Sequence, residues 1–290
     1  MYQILRKVKL AENIYLMDIH APRVAHSAHP GQFVIVRATK EGERIPLTIS
    51  DFDTERGSVQ IVVQTLGVST LKLCEIAEGE CIEDFAGPLG RPSDFVYENV
   101  EDLKAKRLLF IAGGVGTAPV YPQVKWLHEH GVEADVIIGA KTKELLILTD
   151  EMRSVASNLY IATDDGSEGF KGMVTGCLKE LVEVQGKHYD TVITIGPMIM
   201  MKFVALTTKE LGIPTIASLN SLMVDGTGMC GACRVSVGGK TKFTCVDGPE
   251  FDAHEVDFDE AMRRSGQYRT EEQRRLERYK DHKCRIGLDK

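Results

Sequence analysis

The period of the chain changes at residue 107, and that change narrows the folds open to it. From there short apolar runs alternate with amphipathic stretches: a strand over Arg107–Ala112, a glycine turn, a helix over Pro119–His130, a strand over Ala134–Gly139, a helix over Lys143–Val155 and a strand over Asn158–Thr163. A helix near Val174–Val184, the run Thr191–Ile195 and a helix over Pro197–Leu211 continue the alternation. Strands separated by helices of about ten or more residues pair in parallel through right-handed crossovers. Residues 104–215 are therefore expected to form a doubly wound α/β domain.

The chain on either side reads differently. Ile14–Ile19, Gln32–Arg37, Leu47–Ser50, Ser58–Val63 and Gly79–Asp84 are short apolar runs punctuated by Gly and Pro, with almost no helical period. They predict an antiparallel β-barrel over residues 1–95, joined to the α/β domain by a polar linker near Gly90–Lys106. After Pro214 the periodicity stops. Residues 216–250 are rich in Gly, Ser, Asp and Cys, too poor in apolar side chains to form much core of their own, and must be held by something else. Residues 251–290 form a charged tail whose Asp259–Lys283 stretch is dense in Arg and Glu and reads as a solvated or partner-facing helix.

Charge and hydropathy exclude two classes of partner. A formal charge of −7 offers no basic field for a phosphate backbone, so nucleic acid is not expected. No run approaches the roughly 20 apolar residues of a membrane span, and the N-terminus lacks a secretory pattern, so a cytoplasmic protein is expected.

Of seven cysteines, Cys74, Cys81, Cys177 and Cys284 are scattered, while Cys230, Cys233 and Cys245 fall within sixteen residues. That distribution reads as a metal site in a reducing compartment rather than a disulfide framework. Cys-x2-Cys lets two thiolates of one tight loop reach the same metal, and a third closes the site from beyond a hairpin. Gly226, Gly228 and Gly231 give the backbone freedom to aim amide N–H groups at the sulfurs, as an anionic iron-sulfur cluster requires. Structural zinc is the alternative; the loop holds no His and no fourth Cys, and His254 lies nine residues past Cys245.

The segment resembles the cluster-binding tail of the dihydroorotate dehydrogenase electron-transfer subunit and its relatives, the small subunits of NADH-dependent reduced ferredoxin:NADP oxidoreductase and of sulfide dehydrogenase. In the electron-transfer subunit a further cysteine stands five positions before the first of the pair; here that position is Asp225. The aspartate is characteristic of the ferredoxin:NADP oxidoreductase group, so the resemblance implies a 2Fe-2S cluster on Asp225, Cys230, Cys233 and Cys245.

Two further motifs resemble the ferredoxin reductase superfamily. Arg44-Ile45-Pro46-Leu47-Thr48 is similar to its Arg-x-Pro-x-Ser/Thr flavin motif, in which a forked guanidinium meets a pyrophosphate and the strand presents polar groups to the isoalloxazine edge. Ile61-Val62-Val63 follows, and Gly67-Val68-Ser69-Thr70 looks like the family's phosphate-holding turn at the start of a short helix. The resemblance implies FAD rather than FMN. Gly113-Gly114-Val115-Gly116-Thr117-Ala118-Pro119, between a strand and a helix, can seat a pyrophosphate and matches the superfamily's nucleotide turn. Asp164-Asp165 and Gly196-Pro197-Met198 sit at later strand ends, where doubly wound sheets bind ligands. A carboxylate at position 164 repels a 2′-phosphate and accepts from a ribose hydroxyl, which favours NAD(H), although Lys141 and Lys143 offer positive charge nearby.

Together these imply hydride exchange between NAD(H) and FAD with one-electron traffic through the cluster, and no catalytic acid or base. The resemblance adds a heterodimer with a larger flavin and 4Fe-4S subunit, ferredoxin reached through it, and flavin-based electron bifurcation. Two alternatives stand beside it: the electron-transfer subunit of dihydroorotate oxidation, and a non-catalytic binding module with a structural zinc.

Overall fold

The computed structural model describes the backbone of residues 2–288 and the side chains of residues 2–281; the side chain of Cys284 and residues 289–290 of the tail lie outside it. Strands β1 (Tyr2–Ala11), β2 (Ile14–His20), β3 (Phe33–Arg37), β4 (Ile45–Asp53), β5 (Ser58–Gln64), β6 (Cys81–Ile82) and β7 (Asp84–Leu89) form one antiparallel sheet in the order β6-β1-β2-β5-β4-β3-β7. Ile4, Met17, Val34, Ile49, Ile61 and Phe85 come from different strands and meet in one buried cluster, so the sheet curls around its own core as a barrel does. Helix α1 (Pro22–Ala25) contributes Val24 and Ala25 to that core, and α2 (Val68–Glu75) contributes Leu73. Strand β1 is not among those expected from the sequence. Only Ile4 of it is fully buried, and Arg6, Lys7 and Lys9 break its apolar run.

After the short linker helix α3 (Val100–Lys104) the chain alternates: β8 (Leu108–Gly113), α4 (Thr117–Glu129), β9 (Ala134–Ala140), α5 (Thr149–Val155), β10 (Asn158–Thr163), β11 (Phe170–Lys171), α6 (Val174–Lys179), β12 (Thr191–Ile195), α7 (Met198–Glu210) and β13 (Thr215–Ser218). These strands lie parallel in the order β11-β10-β9-β8-β12-β13. The helix expected over Lys143–Val155 is a 3-10 turn followed by α5, because Leu148 takes a left-handed φ of 53° between them. The helix expected near Val174–Val184 starts as α6 and ends in a π turn over Glu180–Val184.

Strands β14 (Arg234–Val237) and β15 (Lys240–Phe243) form a separate hairpin, followed by α8 (Thr244–Asp247). The chain then returns to the large sheet as β16 (Glu250–Asp252), antiparallel to β13. The cysteine-bearing segment thus leaves and rejoins one sheet on neighbouring strands. The tail is two helices. In α9 (Phe258–Ser265), Phe258 and Ala261 bury against Met198, Met201 and Ala205 of α7 and Val235 of β14. The longer α10 (Arg269–Leu288) turns back to the barrel, where Tyr279 donates to Glu75 of α2 at 2.6 Å. Among the described residues no helix is long and apolar enough to cross a membrane.

Candidate flavin, nucleotide and cluster sites

The cysteine loop is pressed onto the barrel. Cys233 and Cys245 are both buried, with their sulfurs 3.3 Å apart, in a cluster shared with Met223 and with Phe33 and Ile35 of β3. Gly226 has φ of 75°, and a Cβ there would meet Leu89 and Ile35 at 2.9 and 3.0 Å, so only glycine lets the loop lie this close. The Gly228 backbone N–H is close enough to the Cys245 sulfur to favour its thiolate. Burial, then Cys233, push the Cys245 thiol up to about 12. On the same loop Asp225 is half-buried and Cys230 is exposed. The Asp225 carboxylate accepts from the Thr227 and Cys230 backbone N–H groups, both at 3.0 Å, and the Thr227 contact leads in holding it below the usual carboxylate range. Cys233 and Cys245 are therefore brought together, while among the described residues no three Cys, His, Asp or Glu side chains converge to metal-holding distance. The soft sulfur donors, buried and flanked by an amide, suit an iron-sulfur cluster.

The residues expected to hold a flavin line a gap between two strands. Strand β4 pairs with β5 from Ile49↔Ile61 onward, but Ile45 to Thr48 pair with β3, while Val62 to Gln64 pair with β2. Before Ile49 on β4 and after Ile61 on β5 the two strands part, and their facing backbone edges are not joined by a ladder among the described residues. Pro46, Leu47 and Thr48 lie along one edge, half-buried. The side chains of Ile61 and Val63 point into the barrel core, leaving only their backbone for a ligand, whereas Val62 packs outward. Gly67 is the N-cap of α2, and the Thr70 hydroxyl accepts from the Gly67 N–H at 3.1 Å. Arg44 is exposed and donates through Nε to the Val224 carbonyl at 3.1 Å, so the expected pyrophosphate arginine also ties the barrel to the cysteine loop. An open strand edge ending at a glycine-started helix fits an isoalloxazine and its phosphates.

The residues expected to bind a nucleotide collect at the carboxyl ends of the parallel strands, around the point where strand order reverses between β8 and β12. Gly113 and Gly116 sit against β12 and the residues after it: a Cβ on Gly116 would lie 2.2 Å from the Ile195 carbonyl oxygen. Gly114 faces open space with φ of 55°. The Thr117 hydroxyl donates to the Gly114 carbonyl at 2.9 Å, and Pro119 is buried, so both shape the turn rather than offer free groups. Gly196 and Pro197 flank the turn, and Met198 packs into the core beneath α9. Asp164 is exposed; the Ser167 hydroxyl and N–H hold the Asp165 carboxyl below its ordinary range. Lys143 is paired with Glu168 at 3.0 Å.

Contacts between domains bring the three regions together. Val115 and Ala118 of the nucleotide turn pack on Val62 of β5 and Leu16 of β2, beside the parted strands. Lys125 of α4 pairs with Asp51 of β4 at 2.8 Å. A third junction escaped the sequence reading. Glu250 as a residue is partly exposed, but its carboxyl turns inward, where Oε1 accepts from Ser93 of the linker at 2.8 Å and from Gln123 of α4 at 3.1 Å. Burial raises its pKa to about 7, and Asp94 adds to the rise. A lone acid on a short edge strand carries no motif that could have announced it.

A flavin-type barrel, a doubly wound nucleotide domain and a cysteine-bearing segment define an oxidoreductase subunit of the ferredoxin reductase type. Residues 220–257 match the iron-sulfur cluster binding domain of dihydroorotate dehydrogenase B. Over 278 residues the chain is 46% identical to a dihydroorotate dehydrogenase B (NAD(+)) electron transfer subunit homolog of Thermotoga maritima, covering 96% of this chain and 95% of that one. It is 61% identical over 272 residues to an uncharacterized protein in the adh 3′ region of Clostridium beijerinckii, covering 94% and 92% of the two chains. A solved chain of an NADH-dependent reduced ferredoxin-NADP oxidoreductase, studied for flavin-based electron bifurcation, is 44% identical with a TM-score of 0.88, covering 96% of this chain and 98% of its own. The chain belongs to the family of the dihydroorotate dehydrogenase B electron transfer subunit and its homologs.

Proposed function

We propose that this chain is the cytoplasmic electron-transfer subunit that moves electrons between NAD(H), FAD and a 2Fe-2S cluster. It works in a heterodimer with a larger flavin and 4Fe-4S subunit, and through it with ferredoxin, as an electron-bifurcating NADH-dependent ferredoxin:NADP oxidoreductase. One observation carries the reading: the parted strands β4 and β5 are flanked by the nucleotide turn, through Val115, Ala118 and Val62, and by the cysteine pair, through Phe33 and Ile35 of the adjacent strand. Donor and acceptor sites on both sides of one gap are what a relay needs.

When bound, the flavin would supply hydride exchange and the cluster a one-electron path. The chain's residues do the placing. Arg44, Pro46, Leu47 and Thr48, the backbone of Ile61, Val62 and Val63, and Gly67, Ser69 and Thr70 would hold FAD. Gly113, Gly114 and Gly116, shaped by Thr117 and Pro119, would seat the dinucleotide pyrophosphate beside Gly196, Pro197 and Met198. Asp164 and Asp165 would disfavour a 2′-phosphate. Asp225, Cys230, Cys233 and Cys245 would hold the cluster, with the exposed half of the loop closing on the preformed sulfur pair.

The test is the chain purified anaerobically with iron supplied. Flavin and 2Fe-2S absorption, both bleached by NADH, are expected; a colourless protein would overturn the reading and leave a zinc-containing binding module in its place. The second reading, a dihydroorotate electron-transfer subunit, is disfavoured by Asp225 and by the lower identity, 31%, to the Fusobacterium nucleatum subunit of that name. Mass spectrometry of the affinity-purified complex separates the two by the large chain recovered. An Asp225→Cys variant is expected to keep the cluster but shift its EPR signal and potential, and an unchanged spectrum would remove Asp225 from the ligand set.

A further inference from the structure

Helix α10 and the turn that opens α2 share one small pocket, lined by Glu43, Ile45, Val68, Ser69, Lys72 and Arg275. Glu43 precedes Arg44, and its carboxylate is held from two sides. Ser69 donates to Oε2 at 2.7 Å, and Arg275 of α10 pairs with Oε1. Ser69 is the second residue of α2, so this carboxylate lies at the positive end of an eight-residue helix, between a hydroxyl donor and a guanidinium, with the Lys72 side chain in the same pocket. Those are the donors that a phosphate oxygen takes. Ile45 carries the pocket onto β4, where that strand runs apart from β5.

The helix is anchored where the pocket needs it. Tyr279 donates to Glu75, and the Lys72 ammonium stands over the Tyr279 ring at 5.9 Å. The Arg275–Glu43 pair is half-exposed on both sides, 53% and 55%, and such pairs add little to folding by themselves. A side chain 232 positions away from Glu43 is thus placed where it can serve an anion.

We propose that α10 is the outer wall of the site for the AMP half of FAD, and that Arg275 exchanges the Glu43 carboxylate for the AMP-side phosphate when the dinucleotide binds. The inference rests on the FAD reading above and extends it to a segment outside the flavin motif. It gives the two partners of one ion pair opposite roles: Arg275 is a ligand of the cofactor, and Glu43 competes with it for the same donors.

Dissociation constants for FAD and FMN, followed by flavin fluorescence in the flavin-depleted full chain, test this with Arg275→Ala, Arg275→Lys and Glu43→Gln. Arg275→Ala is expected to weaken FAD by about tenfold, the loss of one charge-assisted contact, and to leave FMN, which lacks the AMP half, unchanged. Arg275→Lys should recover part of the loss, and Glu43→Gln should tighten FAD. Cluster absorbance per chain, constant across the set, verifies folding. An ion pair that only staples α10 in place would move both variants in the same direction, and that result, or an unchanged FAD to FMN ratio in Arg275→Ala, overturns the proposal. A wild-type chain that takes up neither flavin overturns the FAD reading itself.

Discussion

Cys233→Ser and Cys245→Ser variants are each expected to lose the 2Fe-2S absorption and EPR signal completely while keeping a flavin that NADH still reduces. The two sulfurs lie 3.3 Å apart within one apolar cluster, so neither can be replaced by a neighbouring donor without moving Phe33 or Ile35. A serine hydroxyl is a harder donor that does not give up its proton as a thiol does to a soft metal centre. The flavin gap is built from β4, β5 and α2, and none of these contains a cluster cysteine, so flavin content should stay near wild type. Absorbance and EPR of anaerobically purified variants measure both quantities. A cluster retained at full occupancy in either variant would remove that cysteine from the ligand set.

Glu250→Gln is expected to stabilise the protein at pH 8 and to have little effect near pH 4.5. Burial raises the folded-state pKa of Glu250 from 4.5 to about 7. Between those values the unfolded chain has released its proton and the folded chain still holds it, so stability falls as pH rises through this window. Above it the full penalty applies, at most about 3 kcal/mol for a shift of that size. The glutamine removes the buried charge. Its carbonyl still accepts from Ser93 and Gln123, and its new N–H donors can reach the Gln123 Oε1, which is buried without a partner among the described residues. Melting temperatures of both proteins across pH 4.5–8 check this, with roughly 2 °C or more expected per kcal/mol. A variant that melts below wild type by the same margin at every pH would show that the carboxyl acts only through its hydrogen bonds.

The parts that were legible in the sequence are those whose chemistry is local. Parallel strands buried on both faces, such as Leu108–Gly113 and Ala134–Ala140, read as continuous apolar runs. The glycine turn after β8, the cysteine pair after Gly228 and the Arg44–Thr48 run each declare themselves within a few residues. What stayed hidden depends on contacts far apart in the chain. Strand β13 is too short to show a period, and β16 becomes a strand only because β13 offers it an edge. Glu250 is set by partners 157 and 127 positions away, and Arg275 by one 232 away. The charged face of α10 read as solvated or facing a partner, and its contacts with the barrel stayed hidden because Glu43 and Glu75 are themselves charged and far away in the chain.

Because β13 and β16 lie side by side, the stretch between them works as a clasp: hinged at both ends on the nucleotide domain, with its tip gripping the barrel through Phe33, Ile35 and Arg44. Any swing of one large domain against the other has to drag or loosen that tip. The surroundings of the two buried sulfurs therefore depend on how the barrel and the nucleotide domain are set against each other.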